Sequence, residues 1–546
     1  MDSFTISGKL VDLFERRIYP AEVAVKDGII TSVTEVATAE DQYILPGFID
    51  AHIHIESSML VPTAFAGLAV VHGTIATVSD PHEIANVNGQ EGVQYMIDNG
   101  KLSPFKFFFG APSCVPATGF ETAGATLDAK AVEELLQSPD IWYLSEMMNY
   151  PGVLHNDPEV MAKIAAAKRA GKPIDGHAPG LYGAAAATYA AAGISTDHEC
   201  YTLDEALDKI KAGMHILIRE GSAAKNYEAL AELLKLHPER VLFCSDDKHP
   251  DELVLHHINA LVKRSLKKDY DLYDVLRAAC VNPVLHYNLP VGQLRIKDAA
   301  DFIVVNNLDD FDVLQTYIDG KLVAEKGNAL LPEISVNPIN NFKATRKNVD
   351  QFKIKAHSET PVIRVIEAIE GQLVTNELQL PGTVSDGYIV SDVTRDILKI
   401  AVINRYESDA PVSVAFIKNF GLKQGALAST VGHDCHNIIA VGVDDASIYA
   451  AVNALIDCKG GISVARDKDD VAFMPLPVAG LMSLDNGHTV AAAYTKIDKL
   501  AKELGTTLHA PFMTLSFMAL LVIPSLKLSD KGLFDGSKFE FTAVEM

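Results

Sequence analysis

The chain has 546 residues, a length that calls for two to four domains and excludes a small binding module. Apolar residues make up 48% and charged residues 22%, so a large core can form without disulfide or metal staples and neither a disordered nor a fibrous class fits. Lys and Arg total 47 against 71 Asp and Glu, a net charge of -24. Such a surface repels phosphate backbones and anionic lipid heads, so neither nucleic acid nor a membrane is expected as a partner.

Met1 to about Tyr43 (FTISGKLVDLF, EVAVKDGIITSVTEV) reads as short strands joined by Gly/Asp turns. The start MDSFTISGKL shows no basic region followed by an apolar stretch, and the longest strongly apolar stretch, Phe517 to Pro524, is far too short for a membrane span. The six cysteines, Cys114, Cys200, Cys244, Cys280, Cys435 and Cys458, are scattered with no C-x-x-C pair. That is the usage of a reducing compartment, and a cytoplasmic location is expected.

Between Ile44 and Asp247, β-rich runs alternate with Ala/Leu/Glu/Lys-rich stretches of helical length, the mark of parallel βα units. Eight runs occur: ILPGFIDAHIHI (44–55), TIATVSD (74–80), KFFFGAPS (106–113), IWYLSEMMN (141–149), PIDGHAP (173–179), ISTDHEC (194–200), HILIREGS (215–222) and RVLFCSDD (240–247). Eight is the number that closes a (β/α)₈ barrel of the TIM type. Nearly every run turns polar at its C-terminal end, the end that forms the mouth of such a barrel.

Residues from about Gly292 to Gly327 return to the strand-and-turn pattern. The expected organisation is a small discontinuous β domain, a β-sandwich from 1–43 plus 288–332, and a barrel over 44–287. PEISVNPINNFKATRKNVDQ (332–351) reads as a linker. A C-terminal α/β domain over 346–546 follows, in which DILKIAVINRYE, VSVAFIKNFG and DDASIYAAVNALIDCKGGISVA mix strands and helices.

The most specific chemical signal is AHIHIE, where His52 and His54 end the first barrel run. Strand side chains alternate faces, so residues two apart enter the same site. Later runs end with Glu146, His177, His198 and Asp246. These six groups exceed what one tetrahedral ion takes, and the economical reading is two divalent metal ions with Glu146 as the bridging carboxylate. Manganese, iron and zinc all suit such a donor set. A metal pair lowers the pKa of water toward neutrality, and Asp246 beside it can accept the proton and pass it to a leaving amine.

Other candidates surround this set. His82 and Glu83, after the second run, can orient a substrate or relay protons, although Pro81 also makes an ordinary helix start plausible. Arg219, Glu220 and Ser222 at the end of the seventh run are candidate substrate contacts, while Asp247 and Glu199 read as supports of their neighbours. His433, Asp434 and His436 form H-D-x-H; without a strand pattern they read either as a polar turn or as a cap over the barrel mouth, not as a metal site. His72, His155, His237, His256, His257 and His286 read as surface or packing histidines.

LPGFIDAHIHIESSM (45–59), VSDPHEIANV (78–87), LSEMMNYPGV (144–153), DGHAPGL (175–181), TDHE (196–199) and FCSDDKHPDEL (243–253) resemble the amidohydrolase superfamily and, within it, the bacterial adenine deaminases. GHDCHN (432–437), GGI (460–462) and PLPVAGLMS (475–483) extend the resemblance through the C-terminal region. H-x-H alone says only metal-dependent hydrolase; the SDPHEIANV and SDDKHPDEL segments narrow it.

The resemblance implies hydrolysis of adenine to hypoxanthine and ammonia in purine salvage, with a manganese or iron pair. It also implies that Glu146 stands where many relatives carry a carboxylated lysine, so that modification is not expected. A homodimer is the expected assembly. Two other functions compete: a cyclic amidohydrolase that cuts a ring amide on the same metals, and a non-catalytic scaffold relative, which predicts lost ligands.

Overall fold

The structure is a computed structural model that describes residues 3–546. β1 (Ser3–Asp12), β2 (Arg17–Lys26) and β3 (Ile29–Glu35) form an antiparallel meander, with Asp27 and Gly28 both at positive φ in the two-residue turn. That turn geometry matches the right-handed twist of the flanking strands and suits an Asp-Gly pair. β4 (Tyr43–Pro46) then pairs in parallel with β1.

The barrel follows as β5 (Phe48–Ile53), β6 (Thr74–Ser79), β7 (Lys106–Ala111), β8 (Ile141–Met147), β9 (Ile174–Gly176), β10 (Thr196–Asp197), β11 (His215–Arg219) and β12 (Val241–Cys244). β5 to β9 pair in parallel in chain order, as do β10 to β12. Ser195 N donates to the Ile174 carbonyl at 2.9 Å and joins the two arcs. The ring closes where Asp246 N donates to the His52 carbonyl at 2.9 Å. The helices between strands follow local signals. In Pro158–Ala170, Asp157 caps the amides of Glu159 and Val160, Pro158 holds the first helical position, and Gly171 at φ 65° ends it.

After the barrel the chain rejoins the first sheet through β13 (Phe302–Val305), β14 (Val313–Ile318), β15 (Lys321–Glu325) and β16 (Asn328–Ala329), giving the order β16-β15-β14-β13-β4-β1-β2-β3. One continuous sheet thus makes both layers of the small β body. The Phe4 ring on β1 stacks on Tyr317 of β14 at 5.3 Å across two intervening strands, so the sheet curls around Ile6, Leu10, Val23, Ile44, Phe302 and Val304.

One boundary differs from the sequence reading. Ile44 and Leu45 pair with Val304 and Ile303 in this sheet, so the first barrel strand begins at Phe48. Gly47 lies at the break, where a Cβ would lie 2.5 Å from the Ile75 side chain.

Residues 332–348 cross the molecule as an extended strap, with Ala479 N donating to the Ile339 carbonyl and Asn341 Nδ2 to the Val87 carbonyl. The C-terminal region is built on an eight-stranded mixed sheet. Its strand Ile438–Gly442 alternates faces: Ile438 and Ala440 pack under the helix Asp445–Cys458, while Ile439 and Val441 face the cluster continuous with the barrel core. Among the described residues no helix is long and apolar enough to cross a membrane.

Candidate metal centre

All six residues expected at the barrel mouth come together and are buried. Glu146, near the end of β8, divides its oxygens between two groups. Oε1 lies 3.3 Å from His54 Nε2, and Oε2 lies 2.7 Å from His177 Nδ1 and 3.1 Å from His198 Nε2. Asp246, at φ 55° just past β12, puts Oδ1 3.2 Å from His54 Nε2 and 3.7 Å from His52 Nε2. The ligand atoms of His52, His54 and Asp246 lie within 4.8 Å of one another, as do those of His52, Glu146 and His198.

The donor set fits a cation. His54 Nδ1 lies 3.1 Å from the Asp80 carbonyl, which can only accept, so that ring nitrogen carries its proton. In the neutral ring the Nε2 lone pair then points at the carboxylates of both Asp246 and Glu146, a repulsive arrangement that a positive ion between them reverses. Both ring nitrogens of His52, fully buried, and Nε2 of His177 have no hydrogen-bond partner among the described residues. Buried polar atoms left this way cost free energy that coordination would recover.

Charged neighbours hold the cluster in place. Burial alone would raise the Asp246 carboxyl, but the Arg219 guanidinium and the imidazoles of His54 and His198 outweigh it and bring it well below the usual carboxylate range. Arg219 Nη1 contacts Glu199 and lies 2.5 Å from Asp246 Oδ2. Lys209 Nζ donates to the Ala178 carbonyl at 2.7 Å and pairs with Asp197 and Glu205, propping the loop that carries His177. Behind β5, the Asp50 carboxylate accepts from Ser245 N and Oγ and lies 2.7 Å from His257 Nε2. His257, a packing histidine by sequence, therefore buttresses the strand that bears His52.

His82 and Glu83 begin the helix His82–Asn88 at the same mouth. Asp80 accepts from His82 N at 3.1 Å, and His82 Nδ1 lies 3.3 Å from Glu146 Oε1. Glu83 contacts His433 and His436, so the H-D-x-H segment takes the role of a cap reaching over the mouth. Leu373, Phe517 and Leu520 of the C-terminal region line the same recess.

Two expected substrate contacts are corrected. Arg219 lines the recess, but its neighbour Glu220 points to the opposite face of β11 and pairs with Arg264 at 3.0 Å. Ser222 accepts from His249 N and donates to Glu252 Oε2 at 3.0 Å, outside the recess. Asp80 was not singled out by sequence; its position at the polar end of a barrel run is the signal that would have found it.

Residues 43–323 match the amidohydrolase family, and residues 372–540 match the adenine deaminase C-terminal domain. The adenine deaminase of Salinibacter ruber is 54% identical over 540 residues, covering 99% of this chain and 98% of that one. The chain belongs to the adenine deaminase family. The adenine deaminase of Sulfurovum sp. is 54% identical over 534 residues, 97% of this chain and 98% of its own, and that of Borreliella burgdorferi 48% identical over 548, 99% and 100%. Membership of the amidohydrolase family implies a divalent metal, and the His and carboxylate cluster lies within the matched segment.

Proposed function

We propose that this protein hydrolyses adenine to hypoxanthine and ammonia. The observation that carries the reading is similarity along the whole chain, C-terminal region included, to relatives named adenine deaminases, at 54% identity over 540 residues in the Salinibacter ruber protein. A cyclic amidohydrolase would share the barrel but has no claim on the C-terminal match. A scaffold relative would be expected to have lost ligands, and all six are in place.

His52, His54 and Asp246 would hold one divalent ion and His177 and His198 a second, with Glu146 between them, and such a pair supplies a water acidified toward neutral pH. Manganese or iron is the proposed metal and zinc the alternative, since imidazole and carboxylate donors accept all three.

Asp246 faces the centre of the cluster beside Arg219, and its carboxylate would take a proton and deliver it to the departing amine. His82 and Glu83 stand at the mouth as groups that orient the base through its ring and exocyclic nitrogens. Phe517, stacked on the His433 ring at 4.9 Å, offers an apolar face for a purine, and with Leu373 and Leu520 it keeps bulk water out.

A cytoplasmic location and a homodimer complete the proposal; the six cysteines, all free among the described residues, support the former. Ultraviolet spectra of metal-replete protein with adenine, run beside an ammonia assay on a panel of purines and cyclic amides, test it. Hypoxanthine with equimolar ammonia is expected. Turnover of a cyclic amide with adenine untouched would replace the reading.

A further inference from the structure

Glu83 is the point where barrel and C-terminal region meet in the recess. One of its carboxylate oxygens contacts His433 Nδ1 and the other His436 Nε2, 353 positions later in the chain. All three side chains are buried, and Glu83 and His433 line the recess together with Glu146, His177 and Arg219.

The protonation of His436 is fixed by its other nitrogen. Gly432 N–H donates to His436 Nδ1 at 3.3 Å, so the ring proton sits on Nε2 and that atom faces Glu83 as a donor. A metal on Nε2 would need the reverse, a proton on Nδ1 facing another proton, which argues against a third cation at this cluster. His433 is held by its stack on Phe517. With one N–H on each oxygen the carboxylate cannot rotate; His82 Nε2 lies 3.4 Å from the oxygen that His433 holds, and the oxygen that faces His436 keeps a lone pair free for a further donor. A free purine base carries such donors, on its exocyclic amine and on the imidazole ring.

We infer that His433 and His436 are positioning residues: the C-terminal region completes the active site by fixing the Glu83 carboxylate as an acceptor for a purine N–H. This inference rests on the deaminase reading above.

The test uses the different ring atoms of the two histidines. Asn places an amide N–H near the position of Nδ1, and Gln places one near that of Nε2. His433→Asn and His436→Gln therefore keep the donor, whereas His433→Gln and His436→Asn carry the same side chains in the wrong places. Steady-state adenine deamination, bound metal by elemental analysis and thermal melting are measured for all four variants in the full-length protein.

The matched pair is expected to stay within about 10-fold of the parent in kcat/KM. The mismatched pair is expected to fall by about 10²-fold, as misplacement of a substrate-orienting group does, with metal content and melting temperature equal across the four. Equal effects of Asn and Gln at both positions would overturn the inference, as would loss of one metal equivalent on replacing either histidine. A parent protein that releases no ammonia from adenine would instead overturn the deaminase reading, and the inference with it.

Discussion

The backbone N–H of Asp246 donates to the carbonyl of His52 at 2.9 Å, so the last candidate ligand in the chain is tied to the first across the barrel seam. The ring nitrogens of His52 themselves have no partner among the described residues. His52→Ala therefore breaks no hydrogen bond of the fold, and its main expected effect is loss of bound metal. Elemental analysis checks this, and full occupancy in the variant would remove His52 from the ligand set.

Asp246→Asn keeps the shape of the side chain and an oxygen for Arg219 but cannot take up a proton at neutral pH. Ammonia release is expected to fall by about 10²–10⁴-fold, with folding retained as read by circular dichroism. Turnover near that of the parent would deny Asp246 the proton-transfer role.

Asp50→Asn tests the support behind the seam. The carboxylate accepts from His52 N at 3.3 Å and Ser245 N at 3.0 Å, from Ser245 Oγ, and pairs with His257 Nε2 at 2.7 Å. An amide turns one acceptor into a donor facing other donors, and a loss of about 3 kcal/mol is expected from denaturant unfolding. Metal occupancy should decline with it, because Asp50 holds the backbone of His52 and of Ser245, which precedes Asp246, and so supports two of the six candidate ligands.

Glu121 gives a pH-dependent outcome. Burial, reinforced by the charge of Asp434, pushes its carboxyl up to about 8 from an ordinary value of 4.5. Between those values the folded chain holds a proton that the unfolded chain releases, so this contribution to stability is full below about pH 4.5 and is lost as pH rises through 8. Glu121→Gln stays neutral throughout. The variant should melt above the parent at pH 9, and the gap should close near pH 5. A pH-independent gap in differential scanning calorimetry would count against the assignment.

The eight barrel runs and the six candidate ligands were legible because both signals are local: β-rich runs between stretches of helical length, then polar residues at the C-terminal end of nearly every run. Other features needed the third dimension. The partner of His433 and His436 is Glu83, more than 340 positions earlier, and a Gly-flanked turn carries no periodicity to announce it. Glu220 and Ser222 were grouped with Arg219 because all three are polar at the end of one strand, yet alternation sends Arg219 inward and Glu220 outward. The break at Gly47 was hidden because the apolar run passes from one sheet into the next with no polar residue to mark the change.

The pairing of β4 with β13 joins four residue pairs, Tyr43 to Pro46 with Val305 to Phe302. It joins the entry and the exit of the barrel side by side, so two strands that carry none of the chemistry hold together the ends of the segment that does.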